Sequence, residues 1–189
     1  MDEVRPSEQM RKLGVVQVGA PILGESTRPF DLPAERDAAE RVVENLFASM
    51  ERIAQAHTFA KGMGIAAPQI GIARAAAVVQ PAESDASAVV LLNPRVTDVS
   101  EETDEQYEGC LSFFDVRGQV PRPLRITVET TSLDGATVTT VYQRGQARLV
   151  QHEIDHLDGL LYTDRMRSGV LPIRVEEYRQ TGRDWAYES

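Results

Sequence analysis

Apolar positions along the chain fall into two helical stretches separated by short β-like runs. From Asp31, a candidate N-cap ahead of Pro33, apolar residues recur at Ala39, Val42, Val43, Leu46, Phe47, Met50, Ile53 and Ala54. Steps of three and four predict one helix with a single buried stripe, ending before Lys61-Gly62-Met63-Gly64. After Gly71 the period shortens. Residues 75–79 and 89–92 read as strands, and 125–131 with 137–142 as a hairpin about Asp134-Gly135. A second helical pattern covers about 146–157 and closes at Asp158-Gly159. Ahead of the first helix, Pro6, Gly14, Gly19, Pro21, Gly24 and Pro29 break any periodicity. Residues 1 to about 30 therefore read as a wrapping arm, with 13–18 as a short strand. Helix, grouped strands, helix predicts an α+β fold with a mostly antiparallel sheet rather than alternating βαβ units.

Length and charge narrow the picture. A chain of 189 residues suits a single domain, and no apolar run approaches the roughly 20 residues of a membrane span. The net charge of −9 opposes attraction to phosphate backbones, so no specific nucleic-acid binding is expected. The start, Met1-Asp2-Glu3-Val4-Arg5, leads into no apolar signal segment, which points to the cytoplasm. Cys110 is the only cysteine, so it forms no internal disulfide.

The sharpest chemical signal is His152-Glu153-Ile154-Asp155-His156. Two histidines four residues apart on a helix share one face, about 5–6 Å apart at Cβ, and their nitrogens can converge on one metal ion with Glu153 beside them. A third ligand is needed, and the thiolate of Cys110 suits borderline and soft divalent metals. Two His and one Cys would leave a fourth position open, the mark of a catalytic rather than a structural site, with Glu153 as general base and acid. Blander readings stand beside this one. A helical His pair also occurs on ordinary surfaces and in cores, and a lone Cys is more often a small buried hydrophobe. The stripe of the first helix reads as core packing, and His57 as a surface residue near its end.

Taken together, three segments resemble the hallmark motifs of the peptide deformylase family: Gly62-Met63-Gly64-Ile65-Ala66-Ala67-Pro68-Gln69, Glu108-Gly109-Cys110-Leu111-Ser112 and Gln151-His152-Glu153-Ile154-Asp155-His156. The likeness runs from about Leu13 to Met166 and includes Arg28-Pro29-Phe30, Asn93-Pro94 and Val120-Pro121-Arg122. It implies an α+β fold of mostly antiparallel strands around a central metal-binding helix, as one catalytic domain over 1–189 with an arm to about 30 and an extension from about 167. It also implies hydrolysis of the N-formyl group of N-formylmethionyl nascent peptides. By the same likeness Cys110, His152 and His156 hold one divalent metal, Fe2+ in the cell with Zn2+ or Ni2+ after purification. Glu153 is then the acid and base, and Gln69 with the Leu111 N–H stabilises the oxyanion. Gly64 meets the substrate backbone, Met63, Glu108, Arg148 and Leu149 line the methionine pocket, and Gln151 and Asp155 support the ligand helix.

Two departures flank that pocket: Phe113-Phe114 follows Leu111-Ser112, and Gly145-Gln146 precedes the His helix. They motivate an alternative, a specialised paralogue acting on another N-formyl substrate. A zincin-type endopeptidase and a binding protein without turnover are the other readings, but the first leaves Cys110 and Gln69 unexplained and the second leaves the intact catalytic set unexplained. The tail from Pro172 sets Arg174, Arg179 and Arg183 against Glu176, Glu177, Asp184 and Glu188. That balance gives no electrostatic reason to dock on ribosomal RNA, which leaves transient ribosome contact to other surfaces.

Overall fold

The computed structural model describes residues 4–83 and 85–180. Strands β1 (Met63–Ala66), β2 (Ala76–Gln80) and β3 (Val89–Leu92) form an antiparallel sheet in the order β1-β2-β3, with Ile65 opposite Val78 and Ala77 opposite Leu91. Four successive residues of β2 are buried because both faces of this sheet are covered. On one face lies α2 (Arg36–Ala56), whose Leu46 and Ile53 pack with Ile65, Val78 and Leu92. On the other lies α3 (Arg144–Leu157), whose Val150 and Ile154 pack with Ala66, Ala77, Val79 and Leu91.

Two further antiparallel sheets enclose α3. Strands β4 (Arg95–Val99), β7 (Arg125–Thr131) and β8 (Thr137–Gln143) are ordered β4-β7-β8 and bring Ile126, Val128 and Tyr142 to the helix. Strands β5 (Thr103–Glu108), β6 (Val116–Pro123) and β9 (Ile173–Arg174) are ordered β5-β6-β9 and supply buried Glu108 and Arg122. Every residue from Ala147 to Leu157 except His152 is buried, so α3 is the centre of the fold. The α+β architecture and the hairpin about Asp134-Gly135 match the sequence reading, with Thr131 opposite Thr137. Among the described residues no helix is long and apolar enough to cross a membrane.

The amino-terminal reading needs correction. Residues 6–12 form a helix, α1 (Pro6–Lys12), with Pro6 in its first turn, Glu8 near its start and Arg11 and Lys12 near its end, an arrangement that suits the helix dipole. Residues 13–18 are not a strand. Their hydrogen bonds go singly, from Val16 N–H to the Gln69 carbonyl (2.8 Å) and from Val18 N–H to the Ser112 carbonyl (2.8 Å), so the arm braces two of the motif segments. Further along, the Asn93 side chain bonds both the N–H and the carbonyl of Phe30 (2.8 Å each), which ties the arm to the end of β3.

Helix α2 starts five residues later than Asp31, with Glu35 at its N-cap position. The segment before it is a closed turn: the Asp31 carbonyl accepts from Glu35 N–H (2.6 Å), and the Glu35 carboxylate accepts from Asp31 N–H and Arg74. His57 is half-buried rather than on the surface, edge-on to Phe59 (4.8 Å) and Phe114 (5.1 Å). Helix α4 (Val175–Gln180) ends the described chain; Arg183, Asp184 and Glu188 lie outside the described residues.

Candidate active site

Helix geometry delivers the histidines together. His152 and His156, one turn apart on α3, have ring centroids 5.1 Å apart. Cys110 follows β5 at the mouth of a short 3-10 turn (Leu111–Phe113) and places Sγ 3.2 Å from His156 Nε2. The ligating atoms of Cys110, His152 and His156 all lie within 4.8 Å of one another. Three donors so close, one of them a sulfur, fit a borderline divalent ion. His152 is oriented from behind: its Nδ1 is 2.8 Å from Glu108 Oε1, which leaves Nε2 for an ion.

Glu153 sits in the same constellation. It is 3% exposed, and burial pushes its carboxyl up to about 7. Its Oε2 is buried with no hydrogen-bond partner among the described residues, an arrangement suited to a carboxylate that accepts and returns a proton. Gly64 is what lets it sit there. A Cβ on Gly64 would lie 2.4 Å from Glu153 Oε1. Across the site Gln69, 1% exposed, is locked by its own backbone: Ala66 N–H donates to Oε1 (2.9 Å). That bond turns Nε2 toward Ser112 Oγ (3.1 Å) and Cys110 Sγ (3.6 Å). Leu111 opens the 3-10 turn, where backbone N–H groups lack intrahelical partners.

A model of the polypeptide deformylase family matches residues 12–170. The chain belongs to the polypeptide deformylase family. It is 37% identical to the peptide deformylase of Desulforudis audaxviator over 151 residues, 80% of this chain and 91% of that one. Among solved structures, the Thermotoga maritima peptide deformylase aligns with a TM-score of 0.69 at 29% identity, covering 81% of this chain and 96% of that one. A peptide deformylase from Acinetobacter baumannii with Met-ala-ser bound gives 0.69 at 34% identity, covering 80% and 96%.

One cavity in this deformylase brings together most of the residues singled out in the sequence. Met63, Gly64, Gln69, Cys110, Leu111, Leu149, His152 and Glu153 all line it. Glu108 and Arg148, expected in the methionine pocket, do not. Their side chains are 1% and 2% exposed and paired to one another (2.7 Å), and Arg148 also donates to the Val120 carbonyl and the Asp104 carboxylate. Arg122 bridges Glu108 (2.7 Å) and Asp155 (2.8 Å), and Arg165 reaches Asp155 from the surface. Asp155 thus supports the ligand helix through Arg122. Gln151 instead donates to the Ala147 and Pro123 carbonyls.

The physical reason is charge. A buried guanidinium is not left against an apolar substrate pocket when two carboxylates and a carbonyl can satisfy it. Lys61, Phe59 and Phe114 also line the cavity. Phe114 belongs to one of the two departures that the sequence placed beside the pocket, whereas Phe59 and Lys61 carried no signal of their own beyond the place of Lys61 beside Gly62.

Glu108 is the hub of this network. Burial works against its ionisation, but the charge of Arg122 and hydrogen bonds from His152 and Arg122 outweigh it and hold the carboxyl far below the usual range. Glu108→Gln is expected to cost about 3–5 kcal/mol of stability at pH 7, the penalty for breaking a buried ion pair. The Glu108 contribution is full above its unfolded value of about 4.3 and falls as pH drops toward its folded value. Urea midpoints at pH 7, 5 and 3 should therefore converge for wild type and variant only at the acid end.

Proposed function

We propose that this chain removes the N-formyl group from N-formylmethionyl nascent peptides in the cytoplasm, releasing formate and a free amino terminus. The observation that carries the reading is the convergence of Cys110, His152 and His156 within 4.8 Å, with Glu153 and Gln69 on the same cavity. These three ligands would hold one divalent ion, iron(II) in the cell, replaced by zinc or nickel on purification in air. The family and the sulfur ligand support that choice. When bound, such an ion supplies Lewis acidity that polarises a carbonyl and acidifies water.

The protein groups do the rest. Glu153 accepts a proton from water as the water oxygen bonds to the formyl carbon. Its buried carboxyl, near 7, is matched to taking that proton and giving it back. Negative charge grows on the formyl oxygen, where the Gln69 amide and the Leu111 N–H donate more strongly than to the ground-state carbonyl. Glu153 then protonates the departing nitrogen as the C–N bond breaks, and formate leaves with the hydroxyl oxygen.

Because Ala66 N–H already fixes the Gln69 amide, no side-chain freezing is required during the reaction. Gln69→Ala should lower kcat by about 10²–10³-fold with little change in metal content, read from initial rates and metal analysis of one preparation. The activity itself is tested by products. Formate without cleavage of internal peptide bonds supports deformylation, whereas internal cleavage would point to an endopeptidase.

A further inference from the structure

A second cavity, of about 420 Å³, lies against α3 and shares no lining residue with the active-site cavity among the described residues. Gln151, Ile154, Asp155 and Asp158 line it. Steps of three, one and three put these four on one side of the helix, apart from Glu153. Pro94, Val96, Pro121 and Pro123 complete a hydrocarbon wall with Ile154. A space of this size holds a small organic molecule.

The arginines of the wall are already engaged. Arg95 is paired to Glu129, Arg122 to Glu108 and Asp155, and Arg165 to Asp155. What remains is two acceptors. Gln151 is 9% exposed, and its Nε2 donates to the Ala147 carbonyl (2.9 Å) and the Pro123 carbonyl (3.3 Å), which fixes the orientation of the amide. Its Oε1 has no hydrogen-bond partner among the described residues and is not a buried orphan, so it opens onto the space that Gln151 lines. Asp158 occupies the C-cap position of α3, where the helix dipole opposes a negative charge. Ser26 donates to its backbone carbonyl (3.3 Å), and its carboxylate has no hydrogen bond or ion pair among the described residues. Arg165 stands within electrostatic reach, but its guanidinium bonds both oxygens of Asp155 (2.8 and 3.3 Å).

We propose that this cavity is a second binding site, taking a primary ammonium carried on a short hydrocarbon chain. The ammonium donates to Gln151 Oε1 and the Asp158 carboxylate, and the hydrocarbon lies against the prolines, Val96 and Ile154. Both parts are needed. An ammonium ion alone gives up hydration without burying apolar surface, and a neutral alcohol leaves the Asp158 charge unpaired. The site stands whether or not the other cavity removes a formyl group.

The test titrates the zinc-loaded full chain at pH 7 with n-pentylammonium, 1-pentanol or ammonium chloride, following backbone amide chemical shifts, which report where a ligand sits. Pentylammonium should saturate with a Kd on the order of 1 mM, ordinary for so small a ligand. It should move the amides of Val96, Val99 and Asp158 and leave those of Gly64 and Gly109 in place. The alcohol and the ammonium ion should each bind about tenfold more weakly or less, and so should pentylammonium to Asp158→Asn, which keeps the shape and removes the charge. Should that variant not fold, the three ligands carry the comparison on the wild type. Shifts confined to Gly64 and Gly109, pentanol binding as tightly as pentylammonium, affinity in a folded Asp158→Asn within about twofold of wild type, or no saturable binding would overturn the proposal.

Discussion

Glu153→Gln is expected to lower kcat for deformylation by about 10²–10⁴-fold while the protein keeps one metal ion per chain. The substitution preserves the volume of a side chain that is 3% exposed and packed against Gly64, so neither a cavity nor a clash arises. What changes is chemical. The carboxylate brings a proton-accepting oxygen, Oε2, into the site with no competing hydrogen bond among the described residues. An amide cannot take a proton from water or return one to the leaving nitrogen. Glu153 is not among the three grouped ligands, so metal content should stay near that of the wild type. A loss of less than about tenfold, with the metal in place, would mean that another group moves the proton.

Gly64→Ala should cost about 10²-fold or more in kcat although it touches no ligand and adds a single methyl group. The added carbon would lie 2.4 Å from Glu153 Oε1 and 2.7 Å from its Cγ and Cδ, closer than real atoms pack. Something must move. Gly64 is held in register opposite Val79 on β1, and the Glu153 backbone is part of the central helix, so neither backbone is free to yield. The Glu153 carboxylate is left to swing out of its position. Kinetics paired with metal analysis and a thermal melt check this: kcat should fall while metal content and melting temperature stay close to wild type. Unchanged kcat would show that the carboxylate has room that the geometry denies it.

These expectations separate what the sequence made legible from what it did not. The meeting of His152 and His156 was readable because a four-residue step on a helix is a purely local fact, and the place of Gln69 and Cys110 beside them was readable through the motifs around them. The hairpin was readable because its apolar alternation and its turn are also local. Residues 103–108 read Thr-Asp-Glu-Gln-Tyr-Glu and look like a solvated loop, yet they form β5, because Glu108 and Asp104 find their arginines at positions 122 and 148. Such pairings span up to 44 residues of chain and leave no periodic trace. The same holds for Arg148. On helix spacing it faces the same way as His152, and only the folded network shows that its charge is paired with Glu108 and Asp104. Helix α1 was missed for a different reason: with Met10 as its one buried residue it has no stripe, only Pro6 and a favourable order of charges.

Whether this site, with its metal, removes a formyl group is the question on which everything else depends. Protein prepared without oxygen and loaded with iron(II) is to be assayed for formate release from N-formyl-Met-Ala-Ser, then stripped by a chelator and reloaded, with Glu153→Gln in parallel. Steady formate release by the wild type, lost on stripping and regained on reloading, and absent in a Glu153→Gln protein that still holds its metal, is the predicted result. A metal-loaded wild type that releases no formate, or a stripped protein that releases it as fast, would contradict the account.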